Sequence, residues 1–169
     1  LIKTPNLILK AKKIFGSSTL CAIVETIKID NNYFISCSNG RDLVRKDPLS
    51  WAQNLEDLGI GEIFLTSVNK EGLKNGFDIN IVEKISDKLK IPVIAHGGAG
   101  NFNHVKKIIK DTNIDGVAIS SLFHYEAAPY FIKNLKKIGN THYLQTLKKK
   151  KKKNKPNKRF KKIFKKESN

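Results

Sequence analysis

Ile91-Pro92-Val93-Ile94-Ala95-His96-Gly97-Gly98-Ala99-Gly100 is the stretch on which the fold turns. Its first five residues form an apolar run too short for a helix, and glycines crowd the residues just after it. A short run that is apolar throughout, rather than alternating, fits a strand buried on both faces, as in a parallel sheet. Working outward, residues 19–26, 62–67 and 116–120 are strand signals too, the first a mostly apolar run rather than an alternating one. Helical patterns separate these runs. Residues 5–15 place Leu7, Ile8, Ala11, Ile14 and Phe15 on one face. Residues 48–58 place Trp51, Ala52, Leu55 and Leu58 on another, with Trp51 in the core. Residues 78–89 carry the stripe Ile81, Val82, Ile85 and Leu89 behind Asp78 as N-cap. Further helices are predicted over 102–109 and 126–138, and a hairpin turning at Asp30-Asn31-Asn32.

This order, α, β, hairpin, α, β, α, β, α, β, α, points to a doubly wound sheet or a (β/α)8 barrel. A full barrel takes about 200–250 residues. Residues 1–147 supply four core strands, so the expectation is an open four-stranded sheet or a barrel's partial set of strands. Cys21, on an apolar strand, reads as a small buried residue, and His104 and His142 read as surface residues.

The 169 residues carry 32 Lys and Arg against 15 acids, a formal charge of +17. Most of that charge is a tail. Residues 148–169 hold twelve lysines and one arginine against Glu167, or +12, leaving +5 for residues 1–147. Six consecutive lysines repel one another and build no core, so the tail is expected to be disordered. It could bind polyanions without sequence preference or be an inert solvated end; only Phe160 and Phe164 could stack on bases, and no recognition module accompanies them. Nucleic acid is therefore not an expected partner except through the tail. Two cysteines exclude a disulfide scaffold and fit a reducing, cytoplasmic compartment. No apolar run approaches the roughly 18–20 residues of a membrane span. The chain has no methionine, which sets the expectation of a partial or processed chain.

Three loops rich in glycine and hydroxyl groups follow three successive strands: Thr66 through Gly72, His96 through Gly100, and Ser120-Ser121-Leu122-Phe123-His124. Glycine lets a phosphate approach backbone N–H groups, and a following helix N-terminus adds favourable partial charge. Loops after late barrel strands commonly build such a site. Thr66, Gly72, His96, Gly97, Gly98, Ser120 and Ser121 are the candidate phosphate- and substrate-binding residues. A tight turn would use the same glycines without any ligand.

Phe15-Gly16-Ser17, Gly61 through Ser67, Gly76-Phe77-Asp78, Ile91 through Gly100 and Ser121-Leu122-Phe123-His124 occur in one order. Together they closely resemble the second half of the cyclase subunit family of imidazole glycerol phosphate synthase. The resemblance implies strands five to eight of a two-phosphate (β/α)8 barrel over residues 1–147, with no cofactor or metal. It also implies a glutaminase (amidotransferase) partner that delivers ammonia, and a phosphorylated ribotide as substrate. Aligned on Phe15-Gly16-Ser17, the chain would begin just before the fifth strand.

The resemblance puts the family's second catalytic aspartate at Glu25, which keeps a carboxylate but adds a methylene. A strand-end glutamate facing solvent is the alternative. Glu62 matches a glutamate of the ring that gates ammonia, or is a charge at a strand start. His96 stands where the family pattern has serine; it could meet an anion or simply bond to backbone. Asn69-Lys70-Glu71-Gly72 departs from Asp-Arg-Asp-Gly, and Val44-Arg45 from Thr-Gly. The departures cluster on the active face, as in cyclase-like proteins that serve amidation of surface-polysaccharide sugars. A related two-phosphate sugar isomerase, and a non-catalytic polyanion-binding module, are the remaining alternatives.

Overall fold

The computed structural model describes residues 4–124. Leu1–Ser121 form one compact unit, and Leu122–Asn169 belong to a second. The elements of the first are α1 (Asn6–Phe15), a 3-10 turn (Ser17–Thr19), β1 (Cys21–Ile29), β2 (Asn32–Cys37), β3 (Asp42–Val44), α2 (Pro48–Leu58), β4 (Glu62–Ser67), α3 (Ile79–Ser86), β5 (Val93–His96), α4 (Phe102–Asp111) and β6 (Gly116–Ala118). They form one sheet in the order β3-β2-β1-β4-β5-β6. β1, β4, β5 and β6 are mutually parallel, and β2 and β3 extend the sheet antiparallel. This is the α/β architecture of part of a (β/α)8 barrel. The predicted helix over 126–138, His142 and the Lys-rich tail lie outside the described residues.

Local sequence explains the elements. Asp47 caps α2 by accepting the Ser50 N–H at 2.8 Å, Pro48 occupies the first turn, and Gly59 ends the helix in the left-handed region. Asn101 caps α4 by accepting from the N–H groups of Asn103 and His104. β1 runs to Ile29, beyond the apolar stretch, because its second half pairs with β2 from Glu25↔Ser36 to Ile29↔Asn32. Asp30, at φ 54°, makes the predicted turn. β5 begins only at Val93. Pro92 has no N–H for the ladder, and its carbonyl accepts from Ile63.

The two faces of the parallel strands differ. Ala22, Val24, Ile63, Leu65, Val93 and Ala95 alternate onto one face and are at most 1% exposed. They share a core with Leu55 of α2, Ile81 and Ile85 of α3 and Ile108 of α4. Burying a side chain of this size contributes about 1.5–3 kcal/mol. The opposite face carries Cys21, Ile23, Glu25, Glu62, Phe64, Thr66, Ile94 and His96.

That second face corrects the expectation of strands buried on both sides. Ile23 is 66% exposed, and Cys21 is exposed rather than buried, because register puts both on the side away from the helices. α1 departs similarly: Ile8 is buried, but Leu7, Ile14 and Phe15 are more than half exposed. Trp51 joins the core as expected. His104 is half-buried rather than a plain surface residue: its Nδ1 accepts the Gly100 N–H at 3.2 Å. No helix among the described residues is long and apolar enough to cross a membrane.

Candidate functional site

The loops that follow β4, β5 and β6 converge. One cleft is lined by Gly72 and Lys74 from the first, Gly97 and Gly98 from the second, and Ser120 and Ser121 from the third, with His96 at its wall. Six of the seven candidate phosphate-binding residues therefore share one cleft. The seventh, Thr66, does not line it, but its hydroxyl lies 3.3 Å from His96 Nδ1. Parallel register brings these two together, since Thr66 and His96 are ladder partners.

Backbone crossings dictate the glycines. Gly97 and Gly98 have φ of +100° and +103°, where side chains are strained. A Cβ on Gly97 would lie 2.8 Å from the Ser67 carbonyl oxygen, and one on Gly98 would collide with the Gly76 carbonyl. The Gly98 carbonyl in turn accepts the Gly76 N–H at 2.9 Å, stitching the two loops. Gly72 has room around it and needs only its positive φ of 72°. Among the described residues, the N–H groups of Gly72 and Gly98 donate to no backbone acceptor, whereas the parallel register turns the Gly97 N–H toward β6. Such converging N–H groups suit an anion.

His96 is half-buried, its ring tilted 40° on Phe64 with centroids 5.2 Å apart. Asn69 lies away from the cleft. Its side chain accepts the Lys28 N–H at 2.6 Å and donates to the Lys28 carbonyl, tying the loop to β1. Lys74 was not legible as a lining residue. It bends into the loop at φ 59°, a conformation nothing in its neighbours announces.

Glu25 is not at the strand terminus expected of it; it is the middle residue of β1, paired with Thr66 on one side and Ser36 on the other. It nevertheless stands where the parallel pairing with β4 ends, one residue before Thr26↔Ser67. Its carboxylate accepts the N–H groups of Gly40 at 3.0 Å and Asn39 at 3.2 Å. Glu62 lies on the same face at the opposite end of β4, four residues from Thr66, about 13 Å along a strand. It pairs with Cys21 across the ladder. Though exposed, the Cys21 thiol is pushed up, first by partial loss of solvent around it, then by its hydrogen bond to Glu62 and that carboxylate's charge, against a smaller opposing hydrogen bond from the Phe64 backbone. Between the two ends run Ile23, Phe64 and Ile94. The face thus has a carboxylate at each end and an apolar middle.

The model of the family described as histidine biosynthesis protein matches residues 1–129. Similar curated proteins include the imidazole glycerol phosphate synthase subunit HisF of Campylobacter concisus, 40% identical over 136 residues, and that of Prosthecochloris aestuarii, 36% identical over 135. Each alignment covers 80% of this chain and 53% of the relative. The same subunit of Bacillus cereus is 34% identical over 128 residues, 75% of this chain and 51% of the relative. The chain spans about half the length of the curated relatives it matches. A strand order, a loop cluster and a family match over one and the same stretch lead to one conclusion: the chain belongs to the histidine biosynthesis protein family.

Proposed function

We propose that this chain provides strands five to eight of a cyclase-type subunit of imidazole glycerol phosphate synthase. In this reading it uses ammonia from a glutaminase partner to form imidazole glycerol phosphate from a phosphorylated ribotide. One phosphate of the substrate sits in the cleft, held by the N–H groups of Gly72 and Gly98 and the hydroxyls of Ser120 and Ser121, with Gly97 leaving room for its approach. His96, braced by Thr66, meets the same anion. Glu25 lies on the face that leads to that cleft and moves a proton at the reacting atoms, as a positioned carboxylate can. Glu62, at the far end of the same face, stands where ammonia would enter. The convergence of three loops from successive parallel strands on one cleft, beside a face that carries Glu25, is the observation that supports the reading most.

A second reading keeps the scaffold and changes the ligand. Glu25 and His96 both depart from the family pattern, and both lie on the face and cleft where a ligand would be read. A retuned cyclase-like protein that amidates another phosphorylated sugar fits those two residues. The test is to co-express the chain with the stretch of a HisF relative that precedes the match. Imidazole glycerol phosphate formation from ammonia and the histidine-pathway ribotide is then measured. Ammonia-dependent product supports the first reading. Its absence in a folded, assembled complex overturns it. Binding of that ribotide without turnover would favour the second.

A further inference from the structure

Glu25 is held from across the sheet by a turn with unusual backbone geometry. The two N–H groups that reach its carboxylate belong to Asn39 and Gly40, one for each oxygen. Ser38, Asn39 and Gly40 have φ of 57°, 58° and 79°. Three successive residues in the left-handed region, two of them not glycine, form a strained segment that persists only where its surroundings fix it. The surroundings here are specific. The Ser38 hydroxyl donates to Asp42 Oδ2 at 2.7 Å, closing the turn on itself. Gly40 lies so close to Val68 that a Cβ would stand 2.6 Å from Val68 Cγ1. Backbone N–H groups presented in succession by such a turn converge on an anion.

A second observation comes from Ser36. It is the direct partner of Glu25 in the antiparallel ladder and so lies on the same face. It is 3% exposed, and its Oγ has no hydrogen-bond partner among the described residues. Buried polar atoms are nearly always paired, and an orphan on the ladder partner of Glu25 calls for an explanation.

The geometry points to a carboxylate seat: the Ser38–Gly40 turn positions Glu25 through two backbone donors, and the Ser36 hydroxyl is a third donor for the same carboxylate during turnover. One Glu25 oxygen leaves the turn for the substrate, and Ser36 takes up the remaining interaction. The seat accounts for a glutamate at this position. The extra methylene carries the carboxylate out to the turn, and the turn fixes a side chain that would otherwise sample several rotamers. Asn39, Gly40 and Ser36 are thus positioning residues for Glu25. The inference rests on the proposed role of Glu25, and its test is built so that the two can fail separately.

The first arm needs no activity. Amide hydrogen exchange is measured by NMR in the 169-residue chain. In Glu25→Asp, whose carboxylate falls short of the turn, exchange at Asn39 and Gly40 should accelerate at least about tenfold, as expected for loss of charge-assisted bonds. Unchanged exchange overturns the seat. Ser36→Ala should leave the melting temperature equal or raised, since it removes a buried unpaired hydroxyl; a clear fall means that Ser36 is structural and overturns its part. The second arm uses the assembled enzyme described above. Gly40→Ala should lower kcat about tenfold or more with KM within about twofold, and Ser36→Ala should lower kcat similarly. Glu25→Gln combined with Gly40→Ala should be no slower than Glu25→Gln alone, because the turn acts only through Glu25. Additive losses overturn the proposal. Should Gly40→Ala fail to fold, Ser38→Ala, which removes only the brace to Asp42, replaces it. A wild-type assembly without turnover sinks the role of Glu25 alone, and amide exchange then still decides whether the seat exists.

Discussion

Tyr33 of β2 donates its phenolic hydrogen to Asp78 Oδ1 at 2.8 Å, linking the hairpin arm to the residue that precedes α3. Asp78 is 8% exposed and makes no side-chain cap bond to its own helix. The expected N-cap is thus spent on a long-range partner. Lys28 Nζ stands 5.3 Å from the Tyr33 ring centroid and adds a cation over its face.

Tyr33→Phe should therefore destabilise by about 1–3 kcal/mol, because it leaves a buried carboxylate short of a donor. The phenol is pushed well above its ordinary value by burial, then by the hydrogen bond and charge of Asp78, against a smaller opposing effect of Asn80. The folded value is raised, so this stabilisation is fully present below the unfolded value of 10.0 and fades as pH rises past it. Urea unfolding at pH 7 and pH 10.5 checks this. The gap between wild type and Tyr33→Phe should be wide at the first and narrower at the second; a gap independent of pH would contradict it.

Gly98→Ala and Gly72→Ala should separate sharply. Both residues have positive φ, but only Gly98 would drive its new Cβ into a backbone carbonyl, that of Gly76. Gly72→Ala should cost about 1–2 kcal/mol, the ordinary penalty of a left-handed residue. Gly98→Ala adds displacement of the stitched loops and should cost at least about 1 kcal/mol more. In phosphate titrations followed by amide shifts, Gly98→Ala should also weaken binding the more. Equal effects on stability and binding would mean that the crossing at Gly76 does not shape the cleft.

Much of this was legible because it is written in local sequence. Apolar runs mark Glu62–Ser67 and most of β5, the stripe of Trp51, Ala52, Leu55 and Leu58 marks α2, and glycines mark the loops of the cleft. What was not legible depends on register and on distant partners. The open side of Ile23 follows only once β1 is aligned on β4, and Cys21 was misread for the same reason. Asp78 has the composition of a cap, and only folding brings Tyr33, 45 residues away, to compete for it. The seat of Glu25 depends on left-handed Ser38 and Asn39, residue types that adopt this conformation without announcing it.

Asp47→Ala should cost about 1 kcal/mol at pH 7, the usual worth of an N-cap. The carboxylate accepts from Ser50 N–H and Oγ and pairs with Lys84 Nζ at 3.1 Å. Both members of that ion pair are nearly half exposed, so Lys84→Ala should cost under about 0.5 kcal/mol. Burial pushes the Asp47 carboxyl upward, but the Ser50 donors and the Lys84 charge outweigh it and leave the group below its ordinary 3.8. With a depressed folded value, the stabilisation is present above about pH 4 and is lost as pH falls through the folded value. The difference between wild type and Asp47→Ala should close in acid-range urea titrations. A constant difference down to pH 2 would show that the carboxylate's charge contributes nothing.

The face carrying Ile23 should make the 169-residue chain self-associate. Ile23 is 66% exposed, with Phe64 beside it on β4 and Ile94 beyond that on β5. Isoleucine placed this way gains about 1.5–3 kcal/mol when covered. That corresponds to about a tenfold or larger effect on an association constant. Sedimentation velocity over a hundredfold concentration range should show reversible growth beyond the monomer. Ile23→Lys should shift that equilibrium at least about tenfold toward monomer, because a lysine there would be desolvated by any covering surface. The same variant should leave the urea midpoint unchanged, since the Ile23 side chain contributes little to the packed core. A wild-type chain that stays monomeric across the range would show that the face needs no cover. Association unaltered in Ile23→Lys, with folding intact, would move the contact to the exposed α1 residues Leu7, Ile14 and Phe15, where Ile14→Lys would be the next variant to measure.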